Sequence, residues 1–247
     1  MIAKEWHDAR WKLLVAAMGV VPALLIVAVY LPPYETAGRV VERFTDEMAL
    51  GQILNVYGGG GVALALLAIL LGAMTISEEV GRDTIFLLLS KPVSRTRVLL
   101  TKYAVAASAL LMAAILGHVM LIVVAVAKGY PLDLLSWYGV VLSTVLIWLG
   151  SLLVLGLAVT FSVVFRTTLV SLAITFVTVF LVFYALPIHP VPNVPYNTVE
   201  KMTPLYSWTN VSLYSGEGFA PLNFLACFTL AAVLLLLPLW LFNRKAY

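Results

Sequence analysis

The chain has 247 residues, of which 62% are hydrophobic and only 11% charged, and its mean hydropathy is +1.03. Soluble domains carry about 25% charged residues, so this chain lacks the polar surface to cover a water-soluble globule, and a bilayer must be its solvent. The formal net charge is +3, but the bases are scattered between apolar runs and form no basic domain, which argues against a nucleic-acid partner. A single cysteine, Cys227, excludes an internal disulfide, and no Cys/His cluster has metal-ligand spacing.

Residues 1–12 open the chain with Trp6 and Ala9, then Leu13, about one helical turn apart, and with Lys4, Asp8 and Lys12 interleaved. This spacing predicts a short amphipathic helix on a membrane surface, carrying Trp6, Arg10 and Trp11. The apolar run 13–31 is too long for a signal-peptide core, lacks a convincing small-x-small cleavage site and is followed by Pro32-Pro33, so it is expected to be a retained span. Residues 32–55 are expected outside the bilayer. There Val40, Val41, Phe44 and Met48 recur at helical spacing and predict an interfacial helix, with Gly58 to Gly61 leading flexibly into a second span.

Further spans are expected at 56–76, 104–127, 138–165, 169–187 and 222–242, giving six in all. The fourth should be about 42 Å long at 1.5 Å per residue, enough to tilt or project beyond the lipid. Only Arg166-Thr167-Thr168 separates it from the fifth, which predicts a tight hairpin. Residues 188–221 are expected as an external loop, with prolines blocking helix and Tyr206, Trp208 and Tyr214 suited to headgroup depth.

Orientation follows from the 15 lysines and arginines. With both ends inside, only Arg39, Arg43, Lys128 and Lys201 fall outside, and the other bases face the cytosol. An N-in, C-in topology places the segment between spans two and three in the cytosol.

None of the expected spans contains Asp, Glu, Lys or Arg. Ion-coupled carriers usually place such groups in the membrane, although sodium sites can be built from carbonyls and hydroxyls. No nucleophile–base arrangement or metalloprotease motif is present, so no enzyme activity and no metal site are expected. His118 is the exception in span three. It either contacts substrate or bonds between helices beside the small-residue stripe Ala109, Ala113 and Gly117. Ser171, Thr175 and Thr178 in span five either line a translocation path or bond back to their own helix. No GxxxxGK[ST] sequence occurs, so energy for uphill transport must come from another subunit.

The densest charge cluster is Ser77 to Arg97, "SEEVGRDTIFLLLSKPVSRTR". Its core, Ile85 to Leu89, is too short to span a bilayer, yet each large side chain left in water would forgo about 1.5–3 kcal/mol. It must rest on the membrane, on the protein's own helices or on a partner. If helical, Ile85, Leu88 and Leu89 share a face, with Glu78, Glu79, Arg82 and Asp83 in the preceding turn. Pro92 forces a break, and Ser94 can cap the next helix.

The stretch "ISEEVGRDTIFLLLSKPVSRTRVLLTKY" resembles the cytosolic loop of ABC-2-type transporter permeases. The matching positions are Glu79, Thr84, Ile85, Leu88, Leu89, Ser90, Pro92, Val93, Ser94, Arg95 and Lys102, while Asp83 stands where that family commonly has Gly. Six spans, cytosolic ends and "TPLYSW" before the last span agree with it. The resemblance implies an all-α permease with an N-terminal elbow helix (1–12) and a coupling helix within 77–103. It also implies pairing with a second permease copy, as a homodimer or with a close paralogue, and with two cytosolic ATPase subunits that bind ATP and Mg. Most such permeases are exporters, which implies a multi-pass protein of a prokaryotic plasma membrane. Ile85, Leu88 and Leu89 are then expected as docking contacts, and Glu79 and Arg95 as charge latches. A standalone secondary transporter or channel, and a non-transporting scaffold, are the competing classes.

Overall fold

A computed structural model describes residues 46–81, 94–130, 133, 136–181 and 221–245. Their regular structure is five main helices: α1 (Asp46–Gly81), α2 (Arg95–Ala127), α3 (Trp137–Val164), α4 (Thr168–Phe180) and α5 (Pro221–Arg244). Among the described residues there is no strand. Ala63–Gly81, α2 and α3 are long and apolar enough to cross a membrane. The expected helix at residues 1–12, the first span, and most of both external loops lie outside the described residues.

Helix α1 corrects one expectation. It is 36 residues long and runs unbroken through Gly58 to Gly61, so that tetrad is helical, and residues 46–55 are helix as well. In water each glycine would weaken a helix by about 1 kcal/mol relative to alanine. In lipid no water competes for the backbone N–H and C=O groups, so the helical bonds are kept.

The other boundaries follow local chemistry. Ser94 caps α2, its extended backbone placing Oγ to accept from the Arg97 N–H. At the far end Lys128 forms the cap and Gly129 takes φ 80°, a left-handed turn that glycine adopts without strain. Ser136 caps α3 in the same way, accepting from the Gly139 N–H. Only Phe165, Arg166 and Thr167 join α3 to α4, which is the tight hairpin expected.

Helix α3 is the centre of the bundle, its residues buried almost without interruption from Leu149 to Gly156. Its neighbours approach through small residues. A Cβ added to Gly72 of α1 would lie 2.4 Å from Ala158 Cβ, and one added to Gly156 would lie 2.8 Å from Leu234 Cβ of α5. Close backbone approach is how helices associate in lipid, where burying apolar side chains gives little drive.

Helix α4 reverses the pattern of a soluble helix. Its buried face is Ser171, Thr175 and Val179, while Leu169, Val170, Phe176, Val177 and Phe180 are exposed. Such a helix is stable when the surroundings are hydrocarbon and the hydroxyls are turned inward.

Gly72→Ala is expected to overpack the α1–α3 crossing and lower stability by about 1–3 kcal/mol. Adding Ala158→Gly should restore most of it. Denaturant titration of the purified protein in mild detergent measures both; a neutral Gly72→Ala would mean that the helices do not meet there.

Candidate functional site

Helix ends gather at one end of the bundle: the C-terminal ends of α1, α3 and α5 and the N-terminal ends of α2 and α4. Four sets of bonds fix this arrangement. Lys102 Nζ of α2 lies 2.8 Å from Glu79 Oε1 of α1, both side chains being largely shielded at 11% and 22% exposure. Arg95 Nη1 donates to the backbone carbonyl of Lys245 at 2.5 Å and, at 3.4 Å, to that of Phe242. Lys245 Nζ donates in turn to the carbonyls of Val163 (2.7 Å) and Val164 (2.8 Å), at the end of α3. Finally, the Ser77 hydroxyl lies 3.3 Å from Thr168 Oγ1 at the start of α4.

The cations have an electrostatic reason to sit here. The last carbonyls of a helix lack intrahelical donors and carry partial negative charge. Arg95 supplies donors to the end of α5 and Lys245 to the end of α3. Burial, and then the neighbouring Arg166 charge, lower the proton affinity of Lys245 below that of a free lysine. Thr96 and Asn243 add a hydrogen bond between α2 and α5, with Asn243 Nδ2 donating to Thr96 Oγ1 at 3.1 Å.

Helix α1 is anchored to α3 just before its last turn. The N–H groups of Ile76 and Ser77 both donate to Ser162 Oγ at 2.9 Å, and the Ser77 hydroxyl bonds back to the Ala73 carbonyl. The turn carrying Glu78 and Glu79 therefore leaves α3 from a fixed point.

The expected coupling residues divide into two groups. Arg82, Thr84, Ile85, Leu88, Leu89, Ser90 and Pro92 lie outside the described residues, as do Trp6, Arg10 and Trp11. Glu78, Glu79 and Arg95 are described, on the two helix ends that bracket residues 82–93. Glu79 and Arg95 do not meet each other: Glu79 pairs with α2, and Arg95 reaches α5.

The expected path residues are far from this end or turned inward. His118 is buried between α2 and α3, with Nε2 2.9 Å from Ser143 Oγ and Nδ1 3.0 Å from Thr144 Oγ1 and 3.2 Å from the Ala114 carbonyl. A neutral ring with its proton on Nδ1 suits all three, donating to Ala114 and Thr144 and accepting from Ser143. Trp148 Nε1 donates to the Ala107 carbonyl and Tyr103 to that of Leu152, so three polar ties run along the antiparallel pair. Thr175 bonds back to the Ser171 carbonyl. Ser171 is fully buried, its hydroxyl unpartnered, and Thr178 is half-buried.

Sequence reasoning missed Ser162, Thr96, Asn243 and Lys245. Arg95 and Lys245 are 150 residues apart, and no local pattern pairs them. A weak signal was available for Lys245: a base at the end of an apolar run is suited to capping helix carbonyls.

The charged residues of the described helices lie toward helix ends, while the outward surfaces of α2, α4 and α5 are largely apolar. That defines a multi-helix membrane protein whose soluble features gather at one end. Residues 1–246 match the family described as "ABC-2 family transporter protein", and the chain belongs to that family. It is thus a membrane-embedded permease of the ABC transporter class, a class that works with an ATP-binding subunit. No curated protein matches the chain.

Exchanging the charges of the α1–α2 pair tests its geometry. Glu79→Lys alone should cost about 1–3 kcal/mol, between the values for exposed and buried pairs. Glu79→Lys combined with Lys102→Glu should recover most of that loss in detergent stability measurements.

Proposed function

We propose that this chain is the permease subunit of an ABC exporter, in which ATP hydrolysis by a separate cytosolic ATPase moves cargo across a prokaryotic plasma membrane. Two permease copies and two ATPase copies form the working unit, with both termini of each permease cytoplasmic. The segment around Ile85, Leu88 and Leu89 is the docking element. ATP-driven closure of the ATPases pushes on it and tips the paired permeases between inward- and outward-facing states. Uncharged spans favour amphipathic or hydrophobic cargo. The chain itself performs no catalysis, and ATP and Mg belong to the partner.

One observation carries this reading: both arms of segment 82–93 are tied into the bundle. At its start, α1 is held by Glu79 to α2 and by Ser162 to α3. At its end, Arg95 is bonded to α5, whose Lys245 holds α3. A push on this segment is therefore delivered to helices rather than absorbed by slack chain. Within this scheme Glu79 and Arg95 act as transmission residues whose bonds run inside the permease.

The test is co-purification with the cognate ATPase, encoded by a reading frame carrying Walker A, the ABC signature and Walker B. Leu88→Asp should abolish co-purification, because a buried docking side chain is replaced by a charge. Arg95→Ala should leave the ATPase bound but uncouple its ATP hydrolysis from permease rearrangement. Normal binding and coupling in both variants would refute the assignment, and ATP-independent transport by the permease alone would favour a secondary transporter.

A further inference from the structure

The bond between α1 and α3 near the end of α1 has a particular form. The two donors that reach Ser162 Oγ are backbone N–H groups, those of Ile76 and Ser77, each at 2.9 Å. A continuous α-helix directs the same groups at the carbonyls four residues back, here Gly72 and Ala73. The Ser162 hydroxyl of α3 therefore stands in the hydrogen-bond ladder of α1. A side chain inserted there is one of the few recognised causes of a helix bend. Both lone pairs of Ser162 Oγ are occupied by α1.

A second arrangement is built from the same groups. The Ala73 carbonyl keeps a donor at present because the Ser77 hydroxyl bonds back to it. Thr168 Oγ1 of α4 lies 3.3 Å from that hydroxyl, longer than a well-formed bond between hydroxyls. If the N–H groups of Ile76 and Ser77 return to Gly72 and Ala73, the Ser77 hydroxyl leaves Ala73 and takes Thr168. Ser162 is then free to bond back within α3, as Thr160 does to the Gly156 carbonyl. Neither arrangement strands a donor, which is what a change inside hydrocarbon requires.

The packing on either side of this point suits a pivot. One turn earlier α1 is fixed, because a Cβ added to Gly72 would stand 2.4 Å from Ala158 Cβ. One turn later it is loose. Gly81 is exposed, and among the described residues a Cβ added there would meet the Arg166 carbonyl at 3.5 Å, an ordinary contact. The last turn also carries Glu79, which is paired with Lys102 of α2. It therefore follows α2, while the body of α1 stays on α3.

We infer that Ser162 is the keeper of a hinge in α1 at Ile76 and Ser77. About it the last turn of α1 pivots between a state held by α3 and a state in which its own ladder closes and Ser77 bonds to α4. The hinge follows from contacts between helices of this chain, and it stands whether or not the segment 82–93 docks an ATPase.

The test uses the full chain with Cys227→Ser in lipid nanodiscs, diluted with unlabelled protein so that distances are read within one chain. Spin labels are placed on Gly81→Cys and on Val233→Cys of α5, both exposed positions, and their separation is measured by double electron–electron resonance. Ser162→Ala removes the keeper and should move the mean distance by roughly 3 Å or more, the scale of a turn pivoting through about 20°. Ser77→Ala leaves the Ala73 carbonyl dependent on the N–H at position 77, and should shift the distance in the same direction. Thr168→Val removes the acceptor of the second state and should keep the original distance. Thr75→Val removes a neighbouring buried hydroxyl that bonds to Leu71 of its own helix, and should also leave it unchanged. Should Ser162→Ala fail to fold, Ser77→Ala alone decides. An unchanged distance in either serine variant, shifts in opposite directions, or an equal shift in either threonine variant would overturn the hinge.

Discussion

Where Gly72 of α1 faces Ala158 of α3, there is no room for one more methyl group, since an added Cβ would stand 2.4 Å from its neighbour. This crossing sets the position of much that follows. It brings the last turns of α1 alongside the C-terminal half of α3, so that Ser162 can accept from the N–H groups of Ile76 and Ser77. From there Ser77 reaches α4 through Thr168. Glu79 leaves the crossing two turns later and meets Lys102. A second close approach, at Gly156, holds α5 on another side of the same helix. Helix α3 thus positions its neighbours through two small residues, in a solvent where larger apolar surfaces would gain little by leaving lipid.

The polar groups obey the same solvent. Hydroxyls of Thr75, Thr160 and Thr175 return to carbonyls four residues earlier on their own helices. His118, Trp148 and Tyr103 bond across the α2–α3 seam. Each arrangement removes an unsatisfied donor from hydrocarbon, where it would be costly. His118 illustrates the point. Its two ring nitrogens are both engaged within the chain, so the ring fastens α2 to α3.

Much of this architecture is legible in the sequence because the signals are local. Ser94 and Ser136 precede apolar runs and cap them; Arg166 and its neighbours are too few to be anything but a hairpin; the expected fourth span, 138–165, differs from α3 by one residue at each end. Helix α1 was harder to bound. Hydropathy falls across Asp46 to Gly61 and glycine is a helix-weakening residue in water, yet the backbone stays helical throughout. The candidate site was half legible. A charged loop with an apolar core stands out in any apolar chain, and its family resemblance agrees with the match over residues 1–246. The partners of its flanking charges did not stand out. Glu79 and Lys102 are 23 positions apart across a loop, and Arg95 finds carbonyls some 150 positions away; only the packing of helices selects such pairs.

The choice of acceptors at the polar end has a mechanical consequence. A surface ion pair between two long side chains is compliant, because each can rotate and exchange its partner for water. Arg95 and Lys245 instead bind backbone carbonyls at the ends of α5 and α3, which move only if the helices move. The Lys245 residue serves in both directions, its carbonyl receiving Arg95 and its ammonium reaching Val163 and Val164. The first turn of α2, the last of α5 and the last of α3 are therefore joined through rigid elements in series. A displacement applied to the N-terminal end of α2 has to be shared with both others or must break charge-assisted hydrogen bonds, each worth about 1.5–3 kcal/mol. Rigid linkage of this kind favours rearrangement of the helices together over bending of any one of them.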